Sequence, residues 1–109
     1  MAERPVLLIA DDDDDVVRLL RLFLRPLDCE ILTARDGEEA LAVAQERLPD
    51  VVLLDVMMPK RTGWEVCQAL KAMQRTADIA VVLEIAEGTV RSTLAQARAT
   101  LRDHYESEA

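Results

Sequence analysis

Pro49-Asp50-Val51-Val52-Leu53-Leu54-Asp55-Val56-Met57-Met58-Pro59 is the stretch that decides the fold. Val51–Leu54 is an unbroken apolar run, too short for a helix and suited to a strand buried on both faces. It ends in a carboxylate, Asp55. An earlier run, Val6-Leu7-Leu8-Ile9-Ala10, has the same character and leads into five aspartates, Asp11 to Asp15. As neighbouring parallel strands, the two runs would bring their acids together at one edge of a sheet and form an acidic pocket.

Working outward, the chain alternates in kind. Asp13 or Asp14 can cap a helix over about Asp14–Arg25, whose positive dipole end suits acids, and Pro26 ends it. Glu30–Ala34 alternates more, as an edge strand would. Asp36-Gly37 marks a turn, and Ala40, Leu41, Ala44 and Leu48 give a second helix an apolar stripe before Pro49 stops it. A loop, Pro59 to Gly63, precedes a third helix with Val66, Cys67, Leu70 and Met73 on its inner face. Ala80–Ile85 reads as a fourth strand, interrupted by Glu84 and followed by a break at Gly88. Val90, Leu94, Ala97 and Leu101 then define a final helix over about residues 89–105. Such alternation implies βαβ units and a parallel sheet, with right-handed crossovers placing helices on both faces. Ligands of such sheets sit beyond the carboxyl ends of the strands, where strand order reverses. Asp11, Asp12 and Asp55 all fall at that edge.

Composition narrows the function. The 109 residues suffice for one domain and one core, and with half of them apolar and 31% charged the chain reads as globular. Phe23, Trp64 and Tyr105 are the only aromatic residues, so aliphatic side chains must build the core. A net charge of −8 argues against nucleic acid as a partner and favours a cationic partner surface or a divalent metal. No apolar stretch approaches the ~20 residues that span a bilayer, and Met-Ala-Glu-Arg-Pro lacks the layout of a signal peptide, so a cytoplasmic location is expected. Cys29 and Cys67 lack metal-like spacing and are expected as buried free thiols. His104 is the only histidine, which removes metal sites built on several histidines within one chain.

Two carboxylates ~4 Å apart repel by about 4 kcal/mol at an effective dielectric near 20. Either one holds a proton, with a raised pKa, or a cation sits among them. Mg²⁺ suits an all-oxygen set, and a carboxylate beside it can attack phosphorus to give an acyl phosphate. A run of aspartates is equally compatible with a solvated loop and a helix cap. Composition and spacing thus stop at an acidic, cation-binding edge of an α/β domain.

Three motifs go further. Leu-Leu-Ile-Ala-Asp-Asp-Asp, Thr-Ala-Arg-Asp-Gly-Glu-Glu-Ala-Leu and Pro-Asp-Val-Val-Leu-Leu-Asp-Val-Met-Met-Pro occur in order and with the spacing of response-regulator receiver domains, the phospho-acceptor modules of two-component signalling. The chain resembles that family from roughly Pro5 to Ile85, with Thr62-Gly63 where the family has a small polar residue and Gly. The resemblance implies a flavodoxin-like doubly wound sheet, here four strands in order 2-1-3-4. It implies that Asp55 accepts a phosphoryl group from a histidine kinase or phosphotransfer protein. Asp11 and Asp12 would hold Mg²⁺, with Asp12, Asp55 and the backbone carbonyl of Met57 as direct ligands. Asp13, Asp14 and Asp15 fall past the pair and are expected to serve the helix cap.

After Ile85 the sequence departs from that pattern. Family members carry Thr or Ser where Ile85 stands, then a fourth helix, a fifth strand ending in Lys-Pro and a fifth helix. Here a single helix is expected, within one receiver-like domain over residues 1–109. The missing hydroxyl and lysine should weaken phosphoryl retention and the coupling of phosphorylation to a surface change. Lys60 and Arg61 are candidate substitute cations, although exposed loop cations are commonly only solvated. A fourth strand left as an edge, with apolar residues exposed on one face, points to a homodimer through that edge or through the terminal helix. Trp64 is expected as a packing anchor, and Met57 and Met58 as apolar fill. The expected function is a Mg²⁺-dependent phospho-acceptor acting through protein contacts, with no enzymatic role beyond self-catalysed phosphoryl transfer and hydrolysis. The alternative is a phosphorylation-independent dimerisation or adaptor module. An aspartate-nucleophile phosphatase is disfavoured, because such enzymes place a second aspartate where Met57 stands.

Overall fold

The computed structural model describes residues 4–84, 98–100 and 102–103. Its strands are β1 (Val6–Ala10), β2 (Glu30–Ala34), β3 (Val51–Asp55) and β4 (Ala80–Glu84), and its helices α1 (Asp14–Leu24), α2 (Gly37–Arg47) and α3 (Gly63–Ala72). All pairings are parallel and the order is β2-β1-β3-β4, the flavodoxin-like arrangement expected from the sequence. Ile85, the final helix over 89–105 and His104 fall wholly or largely outside the described residues.

The unbroken apolar runs become the two central strands because both of their faces are covered. Leu8, Ala10, Val52 and Leu54 pack with Ala40 and Ala44 of α2 and Val66 and Leu70 of α3. Leu7, Ile9, Val51 and Leu53 face the other way, toward Leu20 and Leu24 of α1. Each Leu or Val so buried contributes about 1.5–3 kcal/mol. The amino-terminal edge is pinned by Asp50, whose carboxylate accepts from Val6 N (2.7 Å) and whose carbonyl accepts from Ala80 N (3.2 Å).

Local chemistry sets the helix starts. Asp13 Oδ1 accepts from Asp15 N at 2.9 Å and caps α1, Asp36 Oδ1 accepts from Glu39 N at 2.8 Å and caps α2, and Thr62 with Glu65 forms a capping box on α3. Beyond Leu24 a single 3-10 turn, Arg25–Leu27, contains Pro26. The carboxyl end of α3 is held by the buried Thr76 hydroxyl, which donates to Leu70 O at 2.7 Å, and by Lys71, which donates to Ile79 O at 2.7 Å.

Several side chains differ from expectation. Leu48 does not continue the α2 stripe: it takes a left-handed conformation (φ 48°) after the last helical residue and is 43% exposed. Pro49 disfavours a helical residue before it, so the chain turns Leu48 outward. Trp64 is 53% exposed in the first turn of α3, and of the two methionines after Asp55 only Met58 is buried. Cys29 and Cys67 are free thiols, half-buried rather than buried. The expected apolar exposure on β4 is partial among its described side chains, with Ala80, Val81 and Leu83 half-buried. Val82 is buried, and Val81 and Leu83 pack against the cluster that includes α3. Exposed apolar surface lies instead on α1, at Leu19, Leu22 and Phe23. At the end of α1, Phe23 O accepts from the Arg98 guanidinium at 3.4 Å.

A leucine held at positive φ costs roughly 1 kcal/mol that glycine does not. Leu48→Gly should raise unfolding stability by about 0.5–1 kcal/mol, read as a higher urea midpoint with an unchanged m-value.

Candidate functional site

Register places the acids. Ala10 of β1 pairs with Leu54 of β3, so Asp11 and Asp55, the next residue on each strand, leave the sheet side by side. Asp11 N donates to Ala34 O at 3.0 Å, extending the β1–β2 ladder by one residue and fixing the direction of the loop that carries Asp12. Carboxylate oxygens of Asp11, Asp12 and Asp55 lie within 4.8 Å of one another. Asp11 is buried (4% exposed), Asp55 is half-buried and Asp12 is exposed. The three aspartates singled out in the sequence therefore converge, and they form the only such group of potential metal ligands among the described residues. Asp13 stands apart from them as the α1 cap.

Backbone amides orient two of the three. Asp13 N donates to Asp11 Oδ1 at 2.9 Å, and Met57 N donates to Asp55 Oδ1 at 3.1 Å. Both are the two-residue loops that aspartate forms readily. The start of α3 packs directly on β3: Gly63 N donates to Val56 O at 2.9 Å, and a Cβ on Gly63 would lie 2.6 Å from Asp55 O. Only glycine fits there. The Thr62-Gly63 pair was visible in the sequence, but its reason, the approach of α3 to the strand carrying Asp55, is tertiary.

Burial pushes the Asp55 carboxyl above its usual value, and the Asp12 and Asp13 carboxylates add to the effect. Hydrogen bonds from Met57 N and with the Asp11 side chain pull the other way. Repulsion and burial of this kind are relieved by a proton or a cation. The donor set is entirely oxygen, partly buried and open on the Asp12 side, which fits a hard divalent ion that keeps some of its waters. Asp12, Asp55 and Asp11 are the residues able to hold it.

Lys60 and Arg61 do not stand as lone solvated cations. Lys60 Nζ lies 3.6 Å from Asp36 Oδ2, and Arg61 Nε donates to Glu38 Oε1 at 2.8 Å, so both face the first turn of α2. Lys60 adopts φ 70° to make the turn. On the opposite side of that corner Arg35 donates to Asp14 Oδ1 at 2.8 Å. In the sequence this corner shows only the turn signal Asp36-Gly37.

Because the folded-state pKa of Asp55 is raised, folding of the metal-free protein takes up a proton. The fold is most stable when Asp55 is protonated, and that contribution is lost as pH rises through the raised pKa. Asp55→Asn should therefore raise the metal-free melting temperature at pH 7. The gain should disappear below the usual carboxylate range. Melting curves from pH 3.5 to 8 check both arms.

The comparisons with known proteins agree with this geometry. The response regulator receiver domain profile matches residues 7–103. The response regulator PleD of Caulobacter vibrioides is 48% identical over 77 residues, covering 71% of this chain and 17% of PleD. The N-terminal domain of a response regulator receiver protein from Methanoculleus marisnigri superposes with a TM-score of 0.73 at 28% identity, over 90% of this chain and 80% of that one. The chemotaxis response regulator CheY4 of Vibrio cholerae, at 22% identity, shares the fold with a TM-score of 0.78 over 90% of this chain and 99% of its own. The chain spans about a third of the length of the first curated relatives it matches. Among the described residues, no helix is long and apolar enough to cross a membrane. By profile, sequence identity and topology, the chain belongs to the response regulator receiver domain family, the receiver modules of two-component signalling.

Proposed function

We propose that this chain is a Mg²⁺-dependent phospho-acceptor with Asp55 as the acceptor, cytoplasmic, and acting through protein contacts rather than on nucleic acid. The observation that carries the reading is the convergence of Asp11, Asp12 and Asp55 within 4.8 Å at the carboxyl edge of the sheet. An Asp55 carboxylate oxygen attacks the phosphorus of a phosphohistidine on a histidine kinase or phosphotransfer protein. The P–O bond forms as the P–N bond breaks, and the imidazole leaves with the electron pair. Asp12, Asp55 and the Met57 carbonyl would hold the metal directly, and Asp11 would complete the acidic set. Bound Mg²⁺ supplies neutralisation of charge on the transferring phosphoryl group. Raised basicity makes Asp55 a better nucleophile once it is ionised. Any enzymatic role is confined to this transfer and to hydrolysis of the acyl phosphate. Without a hydroxyl at Ile85 to hold a phosphoryl oxygen, retention should be weak, since a charge-assisted hydrogen bond contributes roughly 1.5–3 kcal/mol.

Phosphoramidate or acetyl phosphate with Mg²⁺ should add one phosphoryl group, read by intact mass, and both Asp55→Asn and chelation of the metal should abolish it. Label that persists in Asp55→Asn counts against the acceptor. If Asp55→Asn leaves partner binding intact, the chain works through phosphorylation-independent contacts. β4 is an edge among the described strands, so we also propose a homodimer through that edge or through the terminal helix. Sedimentation velocity at micromolar concentration should show the dimer, and a stable monomer removes it.

A further inference from the structure

The acidic pocket is assembled from two loops, one after β1 and one after β3, whose like charges push them apart. A third element, the corner between β2 and α2, adds no carboxylate to the cluster yet grips both sides. Toward the β1 side, Arg35 Nη1 donates to Asp14 Oδ1 at 2.8 Å. Toward the β3 side, Asp36 pairs with Lys60 at 3.6 Å and Glu38 accepts from Arg61 Nε at 2.8 Å. Gly37 N donates to Pro59 O at 3.4 Å, and the absence of a Cβ on Gly37 lets the backbone of Arg61 press against it. The corner is itself braced: Arg35 N donates to Glu39 Oε1 at 3.0 Å, and Asp36 caps α2.

We propose that residues 35–38 form a strap that holds the two acid-bearing loops at metal-binding separation, which makes Arg35, Lys60 and Arg61 positioning residues for a divalent cation at Asp11, Asp12 and Asp55. This inference rests on the reading of the cluster as a Mg²⁺ site. Its value lies in the sign of its consequence. Cations near an anionic pocket lower its negative potential, so deleting them should tighten Mg²⁺ binding if charge alone mattered. If they act by holding the loops together, deleting them weakens binding. Exposed pairs are individually modest, about two- to fivefold each in a binding constant. The long-range charge effect is largely screened at physiological salt, where the Debye length is about 8 Å.

The test is a Mg²⁺ titration of the full chain, followed by amide chemical shifts. Arg35→Met and Lys60→Gln/Arg61→Gln should each weaken binding by about two- to fivefold. Arg35→Lys should stay close to wild type, and Arg35→Met should add little in an Asp14→Asn background. Unchanged or tighter binding in the deletion variants overturns the strap. A second measurement uses no metal. In the combined variant Arg35→Met/Lys60→Gln/Arg61→Gln, amide exchange at Asp13 and Met57 should accelerate at least about twofold after correction for global stability. Unchanged exchange at those amides rejects the strap even if the wild-type chain fails to bind Mg²⁺. Failure of the wild type to bind Mg²⁺, in contrast, rejects the phospho-acceptor reading, and the exchange data then judge the strap alone.

Discussion

Parallel pairing of β1 with β3, in the register that sets Ala10 against Leu54, is the constraint on which the rest depends. It forces Asp11 and Asp55 to leave the sheet as neighbours, with Asp12 one residue on. Convergence of charge is unfavourable in itself and has to be imposed by something stronger. That is the burial of Leu7, Leu8, Ile9, Val51, Val52, Leu53 and Leu54, each no more than 3% exposed, between α1 on one face and α2 with α3 on the other. A one-residue slip would turn every one of these side chains to the opposite face, so the register is held firmly. The pocket inherits that firmness.

Most of the fold was legible because its signals are local. Unbroken apolar runs marked the buried strands. Asp13 was one of two candidate caps for α1 and is the one the structure uses, and Asp36-Gly37 marked the turn before α2. The caps by Asp36 and Thr62 emerge only in the structure. The acidic site was legible for a related reason: each acid ends a strand or lies within two residues of its end, so placing the strand places the acid. The acceptor role proposed for Asp55 rests on the family pattern and not on spacing. Less was legible where side-chain direction depends on where an element stops. The periodicity of α2 has no way of showing that Leu48 lies one residue past the helix, and a lone tryptophan does not announce which side of α3 it takes.

Ion pairing between separate elements was the least visible. Lys60 and Arg61 look like loop cations in a one-dimensional reading, and Arg35 looks like part of a turn. Their partners are 21 to 24 residues away in sequence, on elements whose closeness exists only after the sheet has formed. Charge patterning can suggest that a surface is polar, but it does not say which acid meets which base. The same holds for Gly37 and Gly63, whose lack of a side chain is explained only by the backbone that each one touches.

Asp50 gives the sheet a mechanical polarity. Its carboxylate and amide grip both backbone groups of Val6 while its carbonyl receives Ala80, so β1, β3 and β4 are tied at their amino-terminal ends. At the other end β1 and β3 lead into the mutually repelling carboxylates of Asp11, Asp12 and Asp55. The clamp at Asp50 thus lies at the opposite end of β1 and β3 from the charge, and the register that brings the acids together is secured where no acid of the cluster stands.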